Sequence, residues 1–186
     1  MIYDSYPWKS ELKKIRKYLK KCNWYDELGN ANDIKRFHFE KNLFYSAFII
    51  RKLIESDRTS DYIDNMSIRV KRYKPIRHVN RIYCFMDDDM YDWKNSVNST
   101  IPIKEIINFL IHSYVFNIGL NDAYKAESFF VSSDYDRNKY LYEIQMKDWY
   151  DVLDKVGSDS IISRCSRYKE NAEDYVSTKK ERGKLK

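Results

Sequence analysis

Residues 127–133, ESFFVSS, and 139–146, KYLYEIQM, joined by 134–138, DYDRN, decide the fold class. Tyr140, Tyr142, Ile144 and Met146 alternate with Leu141, Glu143, Gln145 and Lys147, the period of two that a strand with one dry face shows. The linker is rich in Asp and Asn, whose side chains bond their own backbone in turns. A β-hairpin over 127–146 follows, with the first set facing the core and the second facing water.

Outward from the hairpin the pattern becomes helical. Trp8, Leu12, Ile15, Leu19 and Cys22 recur at intervals of three and four and predict a helix over 5–22. Phe37, Leu43, Phe44, Ala47, Phe48, Ile50, Leu53 and Ile54 predict a second over 32–55, apolar on most sides and central to the core. Pro102 in a first turn after Ser99 and Thr100 starts a third, read over 102–117 from Ile103, Ile106, Ile107, Leu110, Ile111, Tyr114 and Val115. A short helix is expected at 148–156, and a last one at 159–176 through Ile161, Ile162, Cys165, Tyr168, Ala172, Tyr175 and Val176. Met66, Ile68 and Val70 alternate with Ser67, Arg69 and Lys71 as a strand that Pro75 closes; a further strand is read at 80–86, then an acidic loop from Asp87-Asp88-Asp89 to Thr100. The four glycines, Gly29, Gly119, Gly157 and Gly183, read as punctuation after helices or in the tail. The expectation is α+β: a single domain over 1–176 with about five helices, a small and mainly antiparallel sheet, and a charged, frayed tail over 177–186.

Composition bounds the class. A chain of 186 residues suits one domain, and an aromatic content of 16%, with seventeen tyrosines, is too high for a disordered segment. Enrichment in Lys, Tyr, Asn, Asp and Ile points to an AT-rich genome, bacterial or phage. Cys22, Cys84 and Cys165 are odd in number and far apart, which reads as free thiols in a reducing, cytoplasmic compartment. The first residues lack the basic-then-apolar order of a signal peptide, and the uncharged run 106–121 is too short and polar to span a bilayer, so no membrane is expected. Four glycines cannot assemble a phosphate-cradling loop, and no cofactor is implied.

Charge supplies the candidate site. The net charge of +6 lies wholly in residues 1–99, with 20 basic and 14 acidic side chains; residues 100–186 balance at 14 each. Lys13, Lys14, Lys17, Lys20 and Lys21 surround the polar side of helix 1, and Arg69 and Lys71 share the wet side of the 66–73 strand. These seven are the candidate partner-binding residues. If the two surfaces adjoin, they form a patch for phosphates or for an acidic protein.

Chemistry is sparse. His38, His78 and His112 have no neighbours at metal-ligand spacing, and Ser113 beside His112 on a helix would point elsewhere. Arg72 and His78 have a spacing that resembles the ribonuclease motif of helical HEPN domains, which implies an RNA-cleaving pair on one helix; here Pro75 lies between them and a strand precedes them. Asp134 or Asp136 followed by Glu143-Ile144-Gln145 resembles the Asp…(Asp/Glu)-x-Lys nuclease pattern, which implies Mg²⁺ held by two carboxylates. Gln145 stands where that pattern has lysine, and Lys147 follows on the same face. The leading expectation is a non-enzymatic binding or regulatory protein of the accessory, immunity or anti-defence kind, with a protein partner of acidic character. The alternatives are a nucleic-acid-binding protein that uses helix 1 and the 66–73 strand together, and a metal-dependent nuclease.

Overall fold

The hairpin forms the centre of the sheet. In a computed structural model that describes residues 2–26, 30–84, 86–170 and 174–181, β4 (Ala126–Ser133) pairs antiparallel with β5 (Leu141–Gln145), Phe130 opposite Glu143 and Ser128 opposite Gln145. β1 (Ser67–Tyr73) adds to β5, β2 (Val97–Pro102) adds to β1, and β3 (Ser113–Leu120) adds to β4. The order is β2-β1-β5-β4-β3, antiparallel throughout. β6 (Ile161–Lys169) and β7 (Asp174–Glu181) form a separate two-stranded ribbon.

Five helices complete the α+β domain among the described residues: α1 (Tyr6–Lys21), α2 (Asp33–Glu55), α3 (Asp61–Asp64), α4 (Ile103–Ile111) and α5 (Met146–Ser158). Local chemistry sets their ends. The Asn32 side chain accepts the Lys35 N–H and caps α2, and Pro7 stands in the first turn of α1. α4 and α5 lie against one face of the sheet, α1 packs on α5 and α2, and α2 packs on α4. The buried Trp149 fills the centre, edge-on to Phe129 at 5.8 Å, and its indole donates to Ser46 Oγ at 3.1 Å. The ring thus gains apolar burial without stranding its N–H.

A second, smaller core lies on the other side of the sheet. Residues 74–84 and 86–96 fold over its lower half, held by Asn138, whose Oδ1 accepts the Val79 N–H at 2.7 Å. Tyr73, Val79, Met90, Tyr91, Val115 and Leu141 are buried there. Leu141, expected to face water, is therefore fully buried. The alternation in β5 is real, but both faces are covered at that end.

Four expected elements differ. The 80–86 strand is a bend: Asn80 Oδ1 accepts from the Ile82 and Tyr83 N–H groups, the Asn-led turn chemistry that competes with a ladder; Phe85 lies outside the described residues. The loop read over 87–100 ends in β2. The 102–117 helix stops at Ile111, because the β-branched and aromatic run that follows builds β3, with Phe116 against Phe44 at 4.7 Å. The 159–176 helix is replaced by the β6–β7 ribbon; residues 177–181, expected in the tail, pair with β6, while 182–186 lie outside the described residues.

Nor do the two described glycines stop helices. Gly119 lies within β3, where a Cβ would meet Ser128 Oγ at 2.5 Å, and Gly157 lies within α5, where one would stand 3.2 Å from the Lys9 carbonyl of α1. Each permits a close approach. Gly29 and Gly183 lie outside the described residues.

Candidate functional site

Alternation along β1 builds the candidate site. Ile68 and Val70 point into the core under the helices, so Arg69 and Lys71 stand on the opposite face, which helices leave uncovered. Register places Asn98, Lys71, Glu143, Phe130 and Asn117 in one row across that face. Thr100 lies opposite Arg69 in the next row, and Gln145 opposite Ser128. A cleft of about 580 Å³ opens over these rows, lined by Arg69, Lys71, Asn98, Thr100, Glu143 and Lys147 among others.

Glu143 is the fixed point. Its side chain is 11% exposed; Oε2 accepts from the Tyr73 hydroxyl at 2.6 Å and Oε1 from Gln145 Nε2 at 3.0 Å. Lys71 Nζ stands 3.9 Å away. Burial, and then the bond to Glu143, push the Tyr73 hydroxyl well above its usual range. Arg69 is exposed and forms no ion pair among the described residues. The face is therefore a polar surface with a fixed, half-buried carboxylate and two outward cations.

The seven candidate residues fall into two groups. Arg69 and Lys71 come together. Lys13, Lys14, Lys17, Lys20 and Lys21 are exposed on α1, whose other side sends Leu12, Ile15 and Leu19 into the core beneath the helices. α1 lies beyond α5, on the helical side of the sheet. α1 packs on α5 and α2 and sends its apolar side into the core beneath the helices, whereas Arg69 and Lys71 stand on the other face of the sheet, so the two cation groups do not share one face of the sheet. Lys14 already pairs with Glu11 at 3.1 Å. Lys13 lines a different cleft, of about 590 Å³, with Ser5, Lys9, Arg58 and Asp159.

The residues of the nuclease pattern do not converge. Asp134 and Asp136 occupy the turn, where Arg137 pairs with Asp134 and Lys139 with Asp136. Glu143 lies within β5, where its carboxylate is bonded to Tyr73 and Gln145 and to neither turn residue. No group of three His, Cys, Asp or Glu side chains able to hold a metal exists among the described residues. Arg72 is in β1, with its guanidinium over the Tyr140 ring at 4.7 Å, while His78 is exposed in the 74–96 loop, so the helix that the HEPN-like spacing needs is absent at these two positions.

Asn98 and Thr100 join the face although the sequence reading left them in a loop. The signal was present: Val97 and Ile101 are β-branched and flank three short polar residues. No helix among the described residues is long and apolar enough to cross a membrane. Comparison with protein-family models, with curated proteins and with solved structures returns no match.

Proposed function

We propose that the protein is a non-enzymatic binding or regulatory protein that acts through protein–protein contacts, and that the open sheet face around Arg69 and Lys71 receives an acidic partner. The observation that carries this reading is the separation of the two basic groups. A phosphate backbone needs cations strung along one track. Lysines on α1, on the helical side, and cations on the opposite face of β1 do not form one continuous face for such a track.

The composition of the face supports the same reading. Glu143 and Asp148 sit among Arg69, Lys71 and Lys147, and Asn98, Thr100 and Gln145 add neutral donors and acceptors. A face of mixed sign suits a protein surface on which carboxylates alternate with polar groups, where charge complementarity sets register.

Two charge reversals test it. The partner is trapped by cross-linking in the native host, identified, and its affinity measured for Arg69→Glu/Lys71→Glu and for Lys13→Glu/Lys17→Glu/Lys20→Glu. The expected result is a protein partner whose binding only the first variant loses. A nucleic acid as the trapped species, or equal loss in both variants, would overturn the proposal.

A further inference from the structure

β2 is an edge strand, and the pleat shows which of its backbone groups are free. The Ile103 N–H donates to the Met66 carbonyl at 2.8 Å, which makes Met66 and Ile103 a bonded pair. Antiparallel pairs alternate between bonded and non-bonded, so Ile101 and Ser99 bond to Ile68 and Val70 across the ladder. Pro102, Thr100 and Asn98 are then the non-bonded positions, and their backbone groups point away from the sheet. Pro102, which has no N–H, fits that phase. No other described element bonds to the Asn98 or Thr100 backbone.

The two edges of the sheet differ. β3 shifts register at Ser113/Val115 and again at Gly119/Leu120, irregularities that twist an edge away from further pairing. β2 pairs with β1 through six consecutive residues without a shift, and 97–101 carry no charge. The devices that guard an edge are missing from β2 except for the proline at its end.

We propose that β2 takes an extended acidic segment of the partner as a sixth, antiparallel strand. This deepens the reading above and rests on it. Residues of the incoming strand opposite Asn98 and Thr100 would bond to their free N–H and C=O groups. Side chains of such directly opposed residues share a face, so these two lie on the open face, in line with Lys71 and Arg69. Asn98 and Thr100 are short, and glutamates there reach the two cations over them. The residue between them falls on the other face opposite Ser99, and the next on that face stand beside Val97, 45% exposed, and the buried Ile101. The segment that fits thus alternates acidic and β-branched residues.

The probe is a synthetic peptide, Thr-Glu-Val-Glu-Val-Glu-Thr, with a glutamine analogue and two N-methylated forms, all titrated into the whole protein by fluorescence anisotropy and amide NMR. The acidic peptide is expected to bind and to protect the Asn98 and Thr100 amides from exchange. Glutamine in place of glutamate, or Arg69→Glu/Lys71→Glu, should weaken it about tenfold or more. N-methylation of the glutamates should abolish binding, and N-methylation of the valines should not, because only the glutamate N–H groups face β2. Thr100→Pro removes an outward N–H and should also abolish it; the N-methylated peptides decide the matter if that variant fails to fold. Absence of binding by the acidic peptide overturns strand addition. Binding that needs Arg69 and Lys71 yet ignores N-methylation overturns strand addition and leaves the face as the docking surface. Binding that ignores Arg69→Glu/Lys71→Glu but is lost on reversal of the α1 lysines overturns both.

Discussion

The Tyr73 hydroxyl donates to Glu143 Oε2 at 2.6 Å, from the strand next to it, and so ties the buried lower half of the open face to its polar upper half. Tyr73→Phe leaves the half-buried Glu143 with Gln145 and a distant Lys71. The expected loss is about 1–2 kcal/mol in urea unfolding, the cost of stranding one acceptor that water reaches poorly. A change below about 0.3 kcal/mol would show that water replaces the bond freely.

The same contact bears on alkaline stability. Burial pushes the Tyr142, Tyr91 and Tyr150 hydroxyls up to about 12, and Tyr73 higher still. Unfolded tyrosine titrates near its ordinary value of 10.0. Above that pH the unfolded chain holds fewer protons than the folded one, so stability is full below pH 10 and falls as pH rises through the folded values. The decline should be shallower in Tyr73→Phe, which has one such proton fewer. An equal slope in the two proteins, followed by circular dichroism, would contradict the assignment.

At the base of the β6–β7 ribbon Lys179, 3% exposed, reaches Asp57 at 2.5 Å and Asp64 at 2.8 Å. Burial opposes ionisation of Asp57, but the bond from Lys179 and the charges of Lys179 and Arg164 outweigh it and hold the carboxyl below its ordinary 3.8. That contribution is present above pH 3.8 and is lost as pH falls through the folded value. Lys179→Met should therefore destabilise the protein by about 1–3 kcal/mol at pH 7, less than for a fully buried pair because Asp57 stays partly wet. The gap to the native chain should narrow in acid, below about pH 4. A gap independent of pH would mean that Lys179 acts through packing alone.

The sequence made α1, β1 and the hairpin legible through their periods, and α2 through a long run that is apolar on most sides. It misled where two periods coincide. Tyr114 and Val115 extend the helical stripe of α4, yet they also begin a β-branched and aromatic run that pairs with β4. Ile161, Ile162, Cys165 and Tyr168 match helical spacing, but Tyr168 meets Tyr175 edge-on at 5.3 Å across a ladder, and the burial that anchors the ribbon comes from Lys179, a residue that sequence reads as tail. Arg69 and Lys71 were legible as a wet face. Their separation from the α1 lysines was not, because it depends on which side of the sheet α5 packs.

Metal addition tests the nuclease alternative. Asp134 pairs with Arg137 at the turn, and Glu143 bonds to Tyr73 and Gln145 further along the hairpin, so the two cannot share an ion. Millimolar Mg²⁺ or Mn²⁺ should leave the melting temperature unchanged, since only binding to the folded state raises it. A rise that Glu143→Ala removes would sink the non-enzymatic reading.

Lys9 and Asp159 form the most enclosed ion pair of the chain's described residues, with side chains 10% and 1% exposed. Lys9 Nζ donates to the Asp159 carbonyl at 2.8 Å and stands 3.4 Å from its carboxylate, which also accepts the Ser60 N–H at 2.9 Å and the Ser60 hydroxyl at 2.6 Å. The pair joins α1 to the residue where α5 ends and to the cap of α3, and the chain leaves it directly into β6. Lys9→Met strands a carboxylate that keeps two Ser60 donors; Asp159→Asn leaves an ammonium with the backbone carbonyl and a neutral amide oxygen. Each should cost about 3 kcal/mol or more. The double variant leaves no buried charge, so it should cost less than the sum of the singles by about 1–3 kcal/mol. Additive losses in a double-mutant cycle would mean that Lys9 and Asp159 are held by their other neighbours, and that the ribbon does not depend on their charge.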